Sequence, residues 1–478
     1  MELARVEMPW GLAWGDRGNL FFGQEGAPIW EIPVSGAPRP TTTLGEGEVM
    51  HSLPTVRPGG ATLLYTVRKR IWSWGDEEIV AQTLSTGQRR VLLRDAADAR
   101  YIPSGHLVFL RRGVLFAVPF DPQRVQLRGA EVPVLETVAQ ALTGVNNGDV
   151  TGAGQFAVSS TGVLAWVPGS AVQHAARALV TVDRAGRVTR LSAPERTYGG
   201  LHLSPDGRRL AFSIPGVSDV GLWVYDLERA ALTQVIRDGE VMWPIWSPDS
   251  RRIVFRWLKD GRFTVASQAA DTSDAPGVLT NGFFFPSSFA PDGRRFVAVS
   301  GRRDHGIVII SHDRNATVES LLETSNEEAW PELSPDGRWL AYSSNRSGRY
   351  EVYVRALSSG GPSAAVSIEG GHSPAWHPNG HELFFVSAAD AAGRHRFMAA
   401  EVSPGSPPRF TRPRELFEFD GREIRLDCLP VRCYAVAPDG LRFYATQPRW
   451  PPPPPSVTHV NIVLNWFEEL KAKVPVGK

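Results

Sequence analysis

The sequence is poor in cysteine and nearly neutral. Its 478 residues include two cysteines, Cys428 and Cys433, and 51 Lys and Arg against 50 Asp and Glu, a formal charge of +1. Two cysteines cannot staple a fold of this size, so we expect buried thiols, with a local bridge as the alternative in an oxidising compartment. No basic surplus draws the chain to nucleic acid, which we exclude as a partner.

Long apolar runs are also missing. No stretch reaches the roughly eighteen consecutive apolar residues of a membrane span, and the chain as written does not open with a basic segment followed by an apolar run. We therefore expect neither a signal peptide nor a membrane span in this sequence, and the compartment stays open. Glycine and proline are abundant instead, with 46 and 38 residues, while 42% of the residues are hydrophobic. This composition predicts a packed core broken by many turns.

One four-residue turn recurs along the chain. In its strongest copies Ser, Pro, Asp and Gly follow one another, an order that suits a type I turn. Seven of the nine steps between turns are 42 to 45 residues long. The strong copies lie at 204–207, 247–250, 290–293, 334–337, 377–380 and 437–440, and weaker ones lie at 15–18, 57–60, 102–105 and 159–162.

Short β-type runs fill each interval. Residues 210–213 and 340–343 follow their turns directly, and a second run such as 222–226 comes about ten residues later, so four strands fit one period. A four-stranded antiparallel sheet cannot cover both of its faces alone, and radial stacking of such sheets buries both. We therefore predict an all-β fold, a β-propeller of about ten four-stranded antiparallel blades, with an all-β sandwich as the alternative.

Ten blades exceed the usual four to eight of a single ring. We expect an N-terminal partial ring of about four blades in residues 1–168 and a six-bladed C-terminal ring in residues 178–478, with one ten-bladed ring as the alternative. The β-type run at 460–466 is expected to complete the last blade of the C-terminal ring.

The turns and several longer segments carry a family resemblance. The turn series resembles the TolB-like propeller repeat, which is of the WD type. Segments 115–121, 333–345, 351–355 and 463–471 resemble the C-terminal propeller region of certain bacterial serine/threonine protein kinases. The resemblance implies an extracytoplasmic sensing or protein-binding region of a signalling kinase. No Gly-rich phosphate loop, His-Arg-Asp or Asp-Phe-Gly motif is present, so kinase activity is not expected.

Large side chains precede the innermost strand of several repeats, where the chain should pass the mouth of the central channel. We predict that they line a ligand site there, and the alternative is that they plug the contacts between blades. The predicted set is Trp10, Trp243, Phe285, Trp330 and His372, with Leu53 at the same place in the second repeat.

The recurring turn aspartates have a structural interpretation. Each can accept hydrogen bonds from nearby backbone N–H groups, which explains its recurrence without a bound cation. We therefore expect no metal and no other cofactor. The aspartates are Asp206, Asp249, Asp292, Asp336 and Asp439.

The function predicted from these features is recognition. We expect a non-catalytic scaffold that binds a protein, peptide or glycan at the channel mouth. The alternative is a propeller enzyme that acts on polysaccharide as a lyase or hydrolase, which needs several His, Arg or carboxylate groups converging in the channel. The aromatic character of the predicted mouth argues against the enzyme, and no G-x-S-x-G serine motif accompanies it.

Overall fold

Contacts in the computed structural model divide the chain into two compact units, Met1–Ala175 with Pro451–Lys478, and Ala176–Trp450. Each unit is described by itself below. The structure describes residues 9–70, 74–142, 151–169, 176–215, 220–301, 306–357, 363–403, 405, 408–426, 428–448 and 459–476.

The first unit contains four antiparallel sheets, named A to D, and a helix, α1 (Trp466–Lys473). Sheet A is β1 (Pro9–Trp14), β2 (Leu20–Gln24), β3 (Trp30–Ile32) and β4 (Arg39–Pro40), and sheet B is β5 (Met50–Val56), β6 (Thr62–Arg68), β7 (Glu78–Thr83) and β8 (Arg89–Arg94). Sheet C is β9 (Ala97–Ile102), β10 (His106–Arg111), β11 (Val114–Asp121), β12 (Gln126–Leu127) and β13 (Val132–Leu135), and sheet D is β14 (Phe156–Val158), β15 (Leu164–Trp166) and β41 (Asn461–Val463).

The second unit contains six antiparallel sheets, which we number as blades 1 to 6. Blade 1 is β18 (Gly199–Leu203), β19 (Arg209–Ile214), β20 (Gly221–Asp226) and β21 (Ala231–Ile236), blade 2 is β22 (Glu240–Trp246), β23 (Arg252–Lys259), β24 (Arg262–Ala269) and β25 (Gly277–Asn281), and blade 3 is β26 (Phe284–Phe289), β27 (Arg295–Ser300), β28 (Ile307–Ser311) and β29 (Val318–Leu322). Blade 4 is β30 (Glu328–Leu333), β31 (Trp339–Ser344), β32 (Glu351–Ala356) and β33 (Ala364–Ala365), blade 5 is β34 (Gly371–Trp376), β35 (Glu382–Ser387), β36 (Arg394–Ser403), β37 (Arg409–Phe410) and β38 (Arg414–Asp420), and blade 6 is β16 (Arg177–Asp183), β17 (Val188–Arg190), β39 (Ala435–Val436) and β40 (Arg442–Pro448).

Buried apolar clusters join each blade of the second unit to the next, and the last cluster returns to blade 1. Burial of apolar side chains between sheets is what holds blades together. Among the described residues, six such clusters thus link the six sheets one after another. The clusters contain Phe255 between blades 1 and 2, Phe296 between 2 and 3, Leu340 between 3 and 4, Phe385 between 4 and 5, Phe443 between 5 and 6, and Phe212 between 6 and 1.

Three described clusters join the sheets of the first unit in chain order. Phe21 lies in the cluster between sheets A and B, and Phe109 in the one between B and C. The third cluster joins sheets C and D and includes Trp466 of α1. The all-β class and the propeller architecture of four-stranded sheets are thus confirmed, whereas the two rings as separate domains stay a prediction.

The C-terminal strand differs from the expectation. β41 pairs with β15 of sheet D, Ala165 lying opposite Ile462, so the prediction that residues 460–466 complete the last blade of the C-terminal ring is wrong. Blade 6 is completed by β16, which pairs along its whole length with β40. Residues from opposite ends of the second unit thus share one sheet, and the ring closes without the C-terminal strand.

The recurring turn is a hydrogen-bonded corner between the first two strands of a blade. In blade 4 the N–H of Gly337 donates to the carbonyl oxygen of Ser334 at 2.8 Å. The Asp336 carboxylate accepts from the Ser334 hydroxyl at 2.5 Å and from the Arg338 N–H at 3.1 Å. The third residue of the turn therefore orders its own backbone. In the other corners the equivalent side chain also accepts a hydrogen bond from the main-chain N–H two residues later. These side chains belong to Asp206, Asp249, Asp292, Asn379 and Asp439.

Candidate functional site

The innermost strand of several blades bends four residues before the corner. The residue there has a positive φ, 56° at Gly200, 50° at Trp243, 50° at Trp330 and 55° at Ser373. The pairing with the second strand shifts register at the same place in each of these blades. This is a β-bulge, which bends a strand and redirects its side chains. The repeat thus builds this bend into the innermost strands of blades 1, 2, 4 and 5.

The predicted site residues of the second unit form two pairs across neighbouring blades. The rings of Trp243 and Phe285 meet edge to face with centroids 4.7 Å apart, and those of Trp330 and His372 stack at 5.2 Å. Trp243, Phe285 and Trp330 are only 5 to 7% exposed. They lie in the contacts between neighbouring blades, and the prediction that they line a ligand site stays a prediction.

Trp10 belongs to the first unit. It is 1% exposed, and the guanidinium of Arg68 lies 5.1 Å from the centre of its ring. The sequence grouped it with the others since it precedes its turn by the same number of residues as Phe285 and His372.

Further aromatic side chains extend both pairs. Around the first pair, which joins blades 2 and 3, the guanidinium of Arg256 lies 4.4 Å from the Trp243 ring centre and 4.7 Å from that of Phe283. Cations over aromatic faces are attracted by the ring quadrupole. Around the second pair, which joins blades 4 and 5, Tyr350 meets Trp330 at 5.1 Å.

A short loop that precedes β39 contains both cysteines. Cys428 and Cys433 form a disulfide, with Cα atoms 5.6 Å apart, so the prediction of two buried thiols is wrong and the local bridge is the one formed. The chain between them turns back on itself, which brings the two Cα atoms to a distance that a disulfide spans. We call residues 428–433 the plug loop.

The plug loop connects the two aromatic groups. The main-chain N–H of Trp330 donates to the carbonyl oxygen of Pro430 at 2.9 Å, and its indole N–H donates to that of Cys428. On the other side Val431, 2% exposed, packs into the cluster of Trp243 and Phe285. The mouth of the ring is therefore filled by the chain itself on the side of blades 2 to 5.

Arg432 anchors the plug loop to the channel wall. Its guanidinium lies 3.2 Å from the Glu332 carboxylate and donates to the carbonyl oxygens of Pro374 at 3.1 Å and Tyr434 at 2.8 Å. Burial raises the pKa of Glu332, and the charge of Arg432 opposes that shift. Burial lowers the pKa of His202 to about 3, and the same Arg432 charge lowers it further. His202 is thus neutral near pH 7.

The charge of Arg432 acts on the His202 imidazole and on the Glu332 carboxylate. Within the described ranges, no three His, Cys, Asp or Glu side chains form a group that could hold a metal ion. Polar groups around the plug loop already have partners, since Glu332 pairs with Arg432 and the Tyr434 hydroxyl donates to the carbonyl oxygen of Ser373 at 2.8 Å. The ion pair and the hydrogen bonds hold the plug loop in place, which is a structural role.

Sequence reasoning missed Arg432, Glu332 and Val431. One signal was present, because the step from the turn at 377–380 to the turn at 437–440 is 60 residues long, whereas each of the four preceding steps is 43 or 44 residues long. The cysteine pair lies inside that longer step. Two cysteines close together in a repeat that is longer than the others predict a disulfide-closed loop outside the strands of the blade.

The contacts between blades, the corners and the plug loop of the second unit are features of a β-propeller. Residues 239–412 match the family model of the TolB beta propeller domain. This part of the chain is therefore similar to the TolB beta propeller domain, as the turn series indicated. The match covers blades 2 to 4 and most of blade 5.

Similar proteins add the following. An uncharacterized protein of Agrobacterium fabrum is 32% identical over 121 residues, 24% of this chain and 40% of that protein, so the chain spans less than half of this curated relative. A solved candidate TolB of Agrobacterium tumefaciens is 19% identical, with 58% of this chain and 99% of that chain covered and a TM-score of 0.46. TolB of Acinetobacter baumannii is 15% identical, with coverage of 74% and 79% and a TM-score of 0.39.

Across the residues that the structure describes, no helix has the length and apolar character required to cross a membrane.

Proposed function

We propose that the chain is a non-catalytic recognition scaffold and that its ligand, a protein or peptide, binds over the plugged mouth of the six-bladed ring. Leu429 supports this proposal most directly. Its side chain is 56% exposed, whereas Val431 beside it in the plug loop is 2% exposed. The disulfide and the anchors at Trp330 and Glu332 hold the loop, so an apolar side chain is presented to solvent from a fixed position.

The two aromatic groups that the plug loop connects match the composition of binding surfaces. Phe283, Tyr350 and His372 are half-buried and belong to the two aromatic groups that the plug loop connects. Apolar anchors surrounded by aromatic side chains are typical of the residues that carry binding energy in protein interfaces. A fixed anchor also costs little conformational entropy on binding.

A peptide or protein fits this surface better than a polysaccharide does. The exposed Leu429 side chain of the plug loop is aliphatic, and the Glu332 carboxylate, which Arg432 of this loop contacts, is already paired. Glu327 on the rim is exposed and accepts a hydrogen bond from the Tyr350 hydroxyl. A ligand with an apolar side chain next to a polar or basic group suits this combination.

The biological setting we propose is the sensing or interaction region of a bacterial signalling kinase. The resemblance of segments 115–121, 333–345, 351–355 and 463–471 to the propeller region of such kinases supports this setting. The Cys428–Cys433 disulfide supports an oxidising, extracytoplasmic compartment, because disulfides rarely persist in the cytosol.

A displayed library of random peptides, selected on the immobilised protein, tests the proposal. Leu429→Asp should weaken the selected peptides at least tenfold. Leu441→Asp is the matched control, because Leu441 is also 56% exposed but follows the corner at 437–440. Equal binding to wild type and Leu429→Asp, or equal weakening by both variants, would reject the mouth as the site.

A further inference from the structure

The residue directly before each corner contacts the preceding blade of the ring. In blade 2 this residue is Trp246, 1% exposed, whose indole N–H donates to the carbonyl oxygen of His202 in blade 1 at 3.2 Å. In blade 5 it is Trp376, 5% exposed, which donates in the same way to Glu332 of blade 4 at 3.3 Å. The acceptor lies two residues before its own corner in both cases. A tryptophan at this position is therefore a contact to the previous blade.

Sheet A of the first unit carries a tryptophan at the same position. Trp14 directly precedes the corner of sheet A, where the N–H of Gly18 donates to the carbonyl oxygen of Gly15 at 3.0 Å. Its side chain, however, is 67% exposed, and that of Leu12 is 63% exposed. Among the described residues, Trp14 thus faces solvent at the position where Trp246 and Trp376 contact a preceding blade.

One face of sheet A is apolar across its first two strands. Leu12 pairs with Phe22 and Trp14 with Leu20, so these four side chains lie on one face, on which Leu12 and Trp14 are exposed while Leu20 and Phe22 are buried. Phe21, on the opposite face, packs against sheet B. Apolar residues therefore occupy both faces of sheet A, as in a blade that lies between two others.

Sheet D presents the complementary face at the other end of the unit. Ala157, Ala165 and Ile462 lie directly opposite one another across β14, β15 and β41. The alternate residues Phe156 and Leu164 pack toward sheet C. The row is open to solvent at both edges, since Ala157 is exposed and Ile462 is 63% exposed. This is the face on which a following blade would pack.

We propose that the first unit pairs with a second copy of this chain, sheet A of each copy packing against sheet D of the other around a twofold axis. Sheet A carries the surface that contacts a preceding blade, and sheet D carries the surface that contacts a following blade. A single twofold rotation therefore brings both pairs of surfaces together. Two sets of four sheets give eight, the upper end of the usual range for propellers.

The arrangement assigns a partner atom to Trp14. Ala157 lies two residues before the corner at 159–162, as His202 and Glu332 do before theirs. The indole N–H of Trp14 therefore donates to the carbonyl oxygen of Ala157 in the other copy. The contact repeats what Trp246 and Trp376 do within the ring.

Sedimentation equilibrium of the full chain tests the pairing. The wild type should be a dimer, and Trp14→Glu and Ile462→Glu should each raise its dissociation constant at least tenfold. Both side chains are exposed, so neither change should disturb folding, which circular dichroism checks. Leu441→Glu in the second unit is the control and should leave the dimer intact. A monomeric wild type at tens of micromolar, or a dimer that both variants leave unchanged, overturns the proposal.

Cross-linking tests which faces meet. Copies with Leu12→Cys and copies with Ile462→Cys, carrying different tags, are co-expressed and oxidised. The native cysteines do not interfere because they are bonded to each other. Mixed cross-links between the two tags are expected. Cross-links only between copies with the same substitution overturn the arrangement.

Discussion

The main-chain N–H of Trp330 donates a hydrogen bond to the carbonyl oxygen of Pro430 at 2.9 Å. This bond follows from the repeat, because Trp330 lies at the bulge of β30, where the pairing passes from Ala329 to Glu332 without it. A bulge residue is left out of the strand ladder, and a buried N–H without an acceptor is costly. The plug loop supplies that acceptor.

Loss of Glu332 should destabilise the second unit strongly. Glu332→Ala leaves the Arg432 guanidinium, 11% exposed, without its carboxylate, and a buried charge that loses its partner costs about 3 kcal/mol. Glu469→Ala is the control, because the Lys473–Glu469 pair on α1 is nearly half exposed and is worth less than about 1 kcal/mol. Urea unfolding followed by circular dichroism measures both. Similar small losses in the two variants would show that Arg432 does not depend on Glu332.

Acid should loosen the first unit in two steps. Burial lowers the pKa of His51 below 6.5, although a hydrogen bond with Glu48 opposes the shift. The unfolded chain then binds more protons than the folded one, so the free energy of unfolding falls as the pH drops below 6.5. Burial would raise the pKa of Glu48, but hydrogen bonds from His51, Arg89 and Gly45 outweigh it and lower that pKa from 4.5 to about 2. As the pH falls from 4.5 to about 2, protonation of this carboxylate lowers the free energy of unfolding by about 3 kcal/mol.

Hydrogen exchange of segments from sheet B, followed by mass spectrometry across this pH range, measures both steps. His51→Gln is the informative variant. A glutamine can accept from the Thr42 hydroxyl and donate to Glu48, as His51 does at 2.6 and 2.9 Å, but it does not titrate. The loss of protection just below pH 6.5, which His51 causes, should disappear in this variant. The loss at lower pH, which Glu48 causes, should remain. An unchanged upper step would mean that another group titrates there.

The corner aspartate should be replaceable by asparagine but not by alanine. Asp336→Ala removes the acceptor for Ser334 and Arg338 and should cost about 1 kcal/mol. Asp336→Asn should cost less, because Asn379 of blade 5 already accepts the equivalent N–H, from His381, at 2.9 Å. Thermal unfolding measures both, and millimolar calcium should not change either transition. A rise in melting temperature on calcium addition that Asp336→Ala abolishes would give these carboxylates a cation-binding role.

The bulge glycine of blade 1 should not tolerate a side chain. Gly200 has a φ of 56°, and a Cβ there would lie 3.0 Å from the main-chain nitrogen of Trp243 in the next blade. Gly200→Ala should cost more than about 2 kcal/mol, since the left-handed conformation alone costs 1 to 2 kcal/mol outside glycine. Gly380→Ala is the matched control because Gly380 also has a positive φ, but nothing lies within 4 Å of its added Cβ. Equal losses in urea unfolding would show that crowding against Trp243 is unimportant.

The repeat made the blades predictable, because the corner residues and the strand pattern are local signals. The same locality explains what was missed. Arg432 and Glu332 are 100 residues apart, and their pairing depends on a loop that leaves its blade to cross the channel. Trp243 and Trp330 were found by their position in the repeat, but their burial depends on Val431 and Pro430, which no repeat position predicts.

The hydrogen-exchange footprint of a selected peptide tests recognition at the plugged mouth most directly. With the peptide bound, exchange should slow in the plug loop and around Tyr350, while the corner at 334–337 stays unchanged. Slowed exchange at the corners with none at the plug loop would contradict the account.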